Sequence, residues 1–185
     1  RSDAAEATWS DPEERLPAAG RRVSSGGGVF VAVGDNGMIA VSEDGQSWTD
    51  RTQPGAIVGS AAYGHGTWVA AGRQWNGSGF DSSCLVSTDT ETWTACPIRA
   101  DEFETASFSD GRLIVVHEGG YAHSTDGATW QSSATTVPGR FAQHDGVWVA
   151  ASGERRYRGD DLETLQEVKL AERGIRAFTS GFVVR

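Results

Sequence analysis

The sequence predicts an all-β chain made of repeated four-stranded sheets, and three observations carry that prediction. First, a polar turn ending in an aromatic residue recurs as Ser42-Glu43-Asp44-Gly45-Gln46-Ser47-Trp48, Ser87-Thr88-Asp89-Thr90-Glu91-Thr92-Trp93 and Ser124-Thr125-Asp126-Gly127-Ala128-Thr129-Trp130. Second, a glycine followed by a short apolar run precedes each of these turns, as in Gly28-Val29-Phe30-Val31 and Gly66-Thr67-Trp68-Val69. Third, 24 of 185 residues are glycine, while the Lys-, Leu- and Met-rich stretches of surface helices are nearly absent; Lys169 is the sole lysine.

Each unit is justified strand by strand. The first strands are 22–25, 60–63, 105–108, 140–143 and 176–179, read from alternation and β-branched residues. The second strands follow a glycine turn at Gly28, Gly66, Gly111, Gly146 and Gly181. The third and fourth strands flank the polar turn, whose fourth copy is Gly159-Asp160-Asp161-Leu162-Glu163-Thr164-Leu165 and whose fifth survives as Ala7-Thr8-Trp9. The closing aromatic or leucine falls at Trp9, Trp48, Trp93, Trp130 and Leu165, every 35 to 45 residues. Four short strands repeated at that period make a β-propeller blade. The expected architecture is one domain over 1–185, with blades at about 22–51, 59–97, 104–132 and 140–168, and a fifth shared between 174–185 and 1–10. Splitting a blade between the two ends closes a ring and removes exposed strand edges. The alternative is that the chain is a fragment of a six- or seven-bladed parent.

The polar turn resembles the Asp-box, or bacterial neuraminidase repeat, Ser-x-Asp-x-Gly-x-Thr-Trp. Its chemistry is that of a hairpin turn: Asp accepts hydrogen bonds from turn amides, Gly supplies positive φ, and Trp packs between sheets. Asp44, Asp89, Asp126 and Asp161 are therefore expected to be structural, and no spacing matches a zinc set. In families that carry the box it lies at the blade periphery, away from the active site. The resemblance extends to sialidases and to photosystem-assembly-factor-like bacterial proteins, which are secreted and bind other proteins. The sialidase catalytic set is not reproduced. Arg22, Arg140 and Arg176 could imitate its arginine triad, and Tyr121 or Tyr157 could sit near Glu118 or Glu154, but the Arg-Ile-Pro motif before the first box is missing.

Cys84 and Cys96 flank the second turn symmetrically, as do Ser87 and Trp93. A regular hairpin sets the two cysteines opposite each other, within disulfide reach. Such a bridge closes a short loop, is worth about 2–3 kcal/mol in the loop-entropy picture, and implies an oxidising compartment. The alternative is two small buried thiols. Asn76-Gly77-Ser78 fits a glycosylation acceptor. A net charge of −9 opposes a general nucleic-acid or anionic-membrane binder, no apolar run is long enough to span a bilayer, and Arg1 to Glu6 is not a signal peptide. The expected location is secreted, periplasmic or extracellular.

In a propeller the 4–1 and 2–3 loops share the face around the channel mouth. The alignment places Arg22, Arg140 and Arg176 at equivalent starts of innermost strands, beside Glu104 and Glu102. Arginine forks recognise carboxylate, phosphate or sulfate. Trp75, Tyr121 and Tyr157 are expected to offer flat stacking surfaces, and the long 73–83 segment a contact surface. The competing expectation is that the arginines pair with Glu102, Glu104 and Asp35 and merely line a solvated channel. Of the four histidines only His117 falls near this face, so a His117–Glu118 acid/base pair is the candidate catalytic set. Three functions follow: a binding module for a glycan or protein ligand that includes an anionic group, a small hydrolase or lyase acting on an anionic substrate at the same face, and a structural domain of a larger cell-surface protein. No cofactor is implied.

Overall fold

A computed structural model describes residues 16–98, 100 and 102–168. Among the described residues, sixteen strands form four separate four-stranded sheets, each antiparallel and each in simple sequence order. The first holds β1 (Gly20–Gly26), β2 (Val29–Gly34), β3 (Ile39–Ser42) and β4 (Thr49–Asp50). The second holds β5 (Ala56–Gly64), β6 (Thr67–Trp75), β7 (Phe80–Ser87) and β8 (Thr94–Ala95). The third comprises β9 (Phe103–Ser109), β10 (Arg112–His117), β11 (Gly120–Ser124) and β12 (Gln131–Ser133). The fourth comprises β13 (Arg140–His144), β14 (Val147–Ser152), β15 (Arg155–Gly159) and β16 (Gln166–Glu167). Among the described residues there is no α-helix, only short 3-10 turns at Asp35–Gly37 and Leu162–Thr164. The segments expected to form a fifth blade, 174–185 and 1–10, lie outside the described residues, as do Arg176 and Trp9.

The middle strands explain why the sheets stack. Val31, Ala32 and Val33 of β2, and Leu113 to Val116 of β10, are buried without alternation, as happens when a strand is covered on both faces. Val31, Val33 and Ile39 pack against Val58, Ala61, Trp68 and Trp93, joining the first two sheets. Val69, Ala71, Cys84 and Ile98 meet Phe103, Leu113, Val115 and Ala122, joining the second and third. Ile114, Val116 and Tyr121 meet Trp148 and Leu162, joining the third and fourth.

The innermost strands are stitched as well as packed. Ser24 Oγ donates to the Ala61 carbonyl at 2.7 Å, and the Ala106 N–H donates to Ser60 Oγ at 2.7 Å. Two glycines set how closely they approach: a Cβ on Gly26 would lie 2.4 Å from Tyr63, and one on Gly64 2.2 Å from the Phe108 ring. The boundary between the third and fourth sheets is built differently. There the Arg112 guanidinium lies 5.4 Å from the Trp148 ring centroid and 3.6 Å from Asp161.

Candidate functional site

The four aspartates serve the turns. Ser42 Oγ accepts the Gly45 N–H at 2.8 Å and donates to Asp44 Oδ1, which also accepts the N–H groups of Gln46 and Ser47 at 2.8 and 2.9 Å. Ser87 with Asp89, and Ser124 with Asp126, repeat that arrangement bond for bond. The turn amides hold the carboxyls of Asp44, Asp89 and Asp126 below the usual carboxylate range. Gly45 and Gly127 have φ of 74° and 77°, and Thr90 takes the same left-handed conformation at 62°. Each following tryptophan is packed: Trp93 is buried, Trp48 and Trp130 partly so. The fourth turn departs. Gly159 has no hydroxyl, and a Cβ there would come within 2.8 Å of the Thr164 carbonyl oxygen. Asp161 instead caps a 3-10 turn, accepting from Glu163 N–H while Thr164 Oγ1 accepts from Asp161 N–H. Leu162 occupies the position held elsewhere by Gly or Thr and is buried in the core. Among the described residues no cluster of His, Cys, Asp and Glu could hold a metal ion.

Cys84 and Cys96 are joined by a disulfide, with Cα atoms 5.2 Å apart, and the Cys96 N–H donates to the Cys84 carbonyl at 2.8 Å. The neighbouring register, Leu85 opposite Ala95 and Val86 opposite Thr94, is the one that a regular hairpin requires. This bridge points to an oxidising, extracytoplasmic environment.

The inner faces of β1, β9 and β13 enclose a cavity of about 280 Å³ lined by Arg22, Thr105, Ala106, Ser107, Arg140 and Phe141. Two of the expected arginines therefore converge, and the third, Arg176, lies outside the described residues. Among the described residues no carboxylate pairs with Arg22 or Arg140; Asp35 bonds to Arg21 instead. Glu102 and Glu104 are exposed and do not line the cavity. Burial, and then the charge of Arg140, draw the Arg22 guanidinium below its ordinary pKa. Ser107 Oγ is buried there without a hydrogen-bond partner.

Tyr121 does not offer the stacking surface expected of it. Tyr121 is 1% exposed, packed in the core between the third and fourth sheets, with its hydroxyl 3.4 Å from Glu163. The sequence places it in a connecting loop, but the β10–β11 connection is only Glu118-Gly119, so Tyr121 is already inside β11. Burial, then Glu163 and Asp161, raise its hydroxyl pKa. Tyr157 likewise lies within β15, half-buried, opposite Ala150 and Glu167. Trp75 ends β6 at the tip of the long hairpin, opposite Phe80.

No His117–Glu118 acid/base pair forms either. His117 Nδ1 lies 2.8 Å from the Glu118 backbone carbonyl, so that contact takes the imidazole proton rather than the carboxylate. Nε2 is buried without a partner, and the ring stands edge-on to Phe103. His65 bonds the Gly111 carbonyl on the turn face, and His144 is exposed beside Asp145. His123 lies within β11, where burial lowers its pKa. Arg112 was not singled out from sequence. Its signal is an arginine directly after a turn glycine, where the other sheets place Val29, Thr67 and Val147.

The architecture defines the class, a β-propeller, and the solved structures agree. No known protein-family profile matches the chain, and no curated protein matches it. Among solved structures it is similar to the computationally designed protein Ika8 (13% identity, TM-score 0.55, 86% of this chain and 50% of that one). It is also similar to PorZ, a surface component of the type-IX secretion system of Porphyromonas gingivalis (11% identity, TM-score 0.55, 82% and 21%). A third similar structure is YCF48 from Cyanidioschyzon merolae (18% identity, TM-score 0.51, 86% and 61%). The chain spans between about one fifth and three fifths of the length of these structures. At such identity the likeness concerns fold alone.

Proposed function

We propose that the chain is a secreted or periplasmic Asp-box propeller that binds an anionic group of a glycan or protein ligand at the inner cavity. The observation that carries this reading is the convergence of Arg22 and Arg140 on one cavity where, among the described residues, no carboxylate pairs with them. Two like charges lining one cavity gain when an anion sits between them, because it replaces repulsion with charge-assisted hydrogen bonds. The hydroxyls of Thr105 and Ser107 add neutral donors beside that charge. In the same reading, segments 174–185 and 1–10 share a fifth blade, and Arg176 joins the rim of the cavity. The disulfide supports the extracytoplasmic location.

An array of sulfated, sialylated and uronic-acid glycans, together with peptides ending in a free carboxylate, tests the proposal. Arg22→Gln and Arg140→Gln should each weaken retention about tenfold or more, as expected for a charge-assisted bond worth roughly 1.5–3 kcal/mol. Added salt should weaken it further. Retention that survives the double variant, with unchanged circular dichroism, would sink the reading.

A further inference from the structure

Among the described residues, the second sheet carries an edge that no strand covers. β7 runs over Phe80–Ser87, but its outer neighbour β8 spans only Thr94–Ala95 and pairs with Leu85 and Val86. The Cys96 N–H reaches Cys84, and there the pairing stops. On its other side β7 is paired with β6 along its whole length, from Trp68 opposite Ser87 to Trp75 opposite Phe80. An antiparallel strand points the N–H and C=O of alternate residues to opposite neighbours. Because Cys84 faces outward, Ser82 and Phe80 do as well. Among the described residues no backbone group pairs with theirs on that side.

A cavity of about 590 Å³ follows this edge. It touches Ser82, Ser83, Cys84 and Leu85 in succession. It also touches Gln74 of β6, so it extends from one face of the sheet around the margin of β7. Its far wall is Ala95, Cys96, Ile98, Ala100 and Phe103, the chain leaving β8 for the next sheet. The disulfide pins that wall to β7. Ser82 Oγ is buried at the edge with no hydrogen-bond partner.

We propose that this groove receives an extended peptide segment of another protein, which joins the second sheet as an additional strand alongside Phe80–Ser83. An extended backbone is the chemistry that offers donors and acceptors at the two-residue repeat, about 6.8 Å, that Phe80 and Ser82 present. Alternate side chains of the guest face the apolar wall of Ile98, Ala100 and Phe103. A second copy of this chain suits the groove less well. Two copies, each of net charge −9, repel. The inference is independent of the arginine cavity, with which the groove shares no lining residue.

Linear ten-residue peptides displayed on phage, selected on the oxidised full chain, supply the probe. Peptides should be recovered whose affinity falls at least tenfold on Ser82→Pro. That change deletes one outward N–H and leaves the inward ladder to β6 intact. N-methylation walked along a selected peptide should weaken binding at every second position only, which keeps the test decisive if Ser82→Pro misfolds. Recovery of no peptide, indifference to Ser82→Pro, or an N-methyl pattern without the period of two would overturn the proposal. A dimer in sedimentation that Ser82→Pro dissolves would overturn it too, by giving the edge to a second copy.

Discussion

The turn at Asp126 and the turn at Asp161 occupy equivalent places in neighbouring sheets, yet they solve the same problem by different means. At Asp126 a serine hydroxyl and a carboxylate share out the turn amides, and a glycine takes the left-handed conformation. At Asp161 the serine is missing, the chain tightens into a 3-10 turn, and Leu162 is driven into the core against the third sheet. The first turn is held by polar bonds at the surface; the second keeps capping bonds of its own and adds the burial of Leu162. A repeat therefore preserves the satisfaction of its backbone rather than its residues: Thr164 Oγ1 takes a turn amide where serine does so elsewhere, and the packing of Leu162 adds to it.

The largest effect should come from emptying that packing. Leu162→Ala removes a fully buried side chain and should cost about 2–5 kcal/mol in chemical denaturation. A loss below about 1 kcal/mol would show that the fourth turn is not held by its core contact. The serine turns should instead respond to acid. Asp44, Asp89 and Asp126 have carboxyls held below the usual range, so the stability they contribute is present above about pH 4 and lost as pH falls through the lowered values. Thermal melts between pH 5 and 2 should show this decline, and Asp126→Asn should make it shallower. An unchanged slope would remove the turn carboxylates as its source. The smallest effect is expected at Thr90, the one serine turn that puts a side chain in the left-handed region. Thr90→Gly relieves about 1 kcal/mol of backbone strain but frees the unfolded chain by a similar amount, so its midpoint should move by less than about 0.5 kcal/mol. A larger loss would mean that the Thr90 hydroxyl, which donates to the Asp89 carbonyl, holds the turn.

The hairpins were legible in the sequence because their register is local. Once Ser87 and Trp93 bracket a turn, alternation carries Cys84 to Cys96 without further information. The paired arginines at the starts of β1 and β13 were reachable the same way, since repeats align equivalent positions. What failed was the length of connections. Tyr121 and Tyr157 follow glycine- and charge-rich segments that read as loop, but the turns there take only two residues, and the aromatics fall inside strands. Position along a strand then decided burial, and that depends on the neighbouring sheet. The open margin of β7 was illegible for a related reason: how far β8 extends is not marked by any residue, only by where the disulfide turns the chain away. The 73–83 segment was expected to be a contact surface, and the cavity along its second strand adds a backbone edge to that expectation.

The two glycines beneath Tyr63 and Phe108 have a geometric consequence. With hydrogen in place of a methyl group, each lets an aromatic ring wedge between successive innermost strands. The space each ring occupies therefore limits how closely neighbouring innermost strands can approach. At the next boundary Ser109 and Gln143 stand where Gly64 and Phe108 stood, and an arginine spanning Trp148 and Asp161 takes over. The spacing of the first three innermost strands thus depends on side-chain volume at a few positions, and enlarging Gly26 or Gly64 would force Tyr63 or Phe108 out of place.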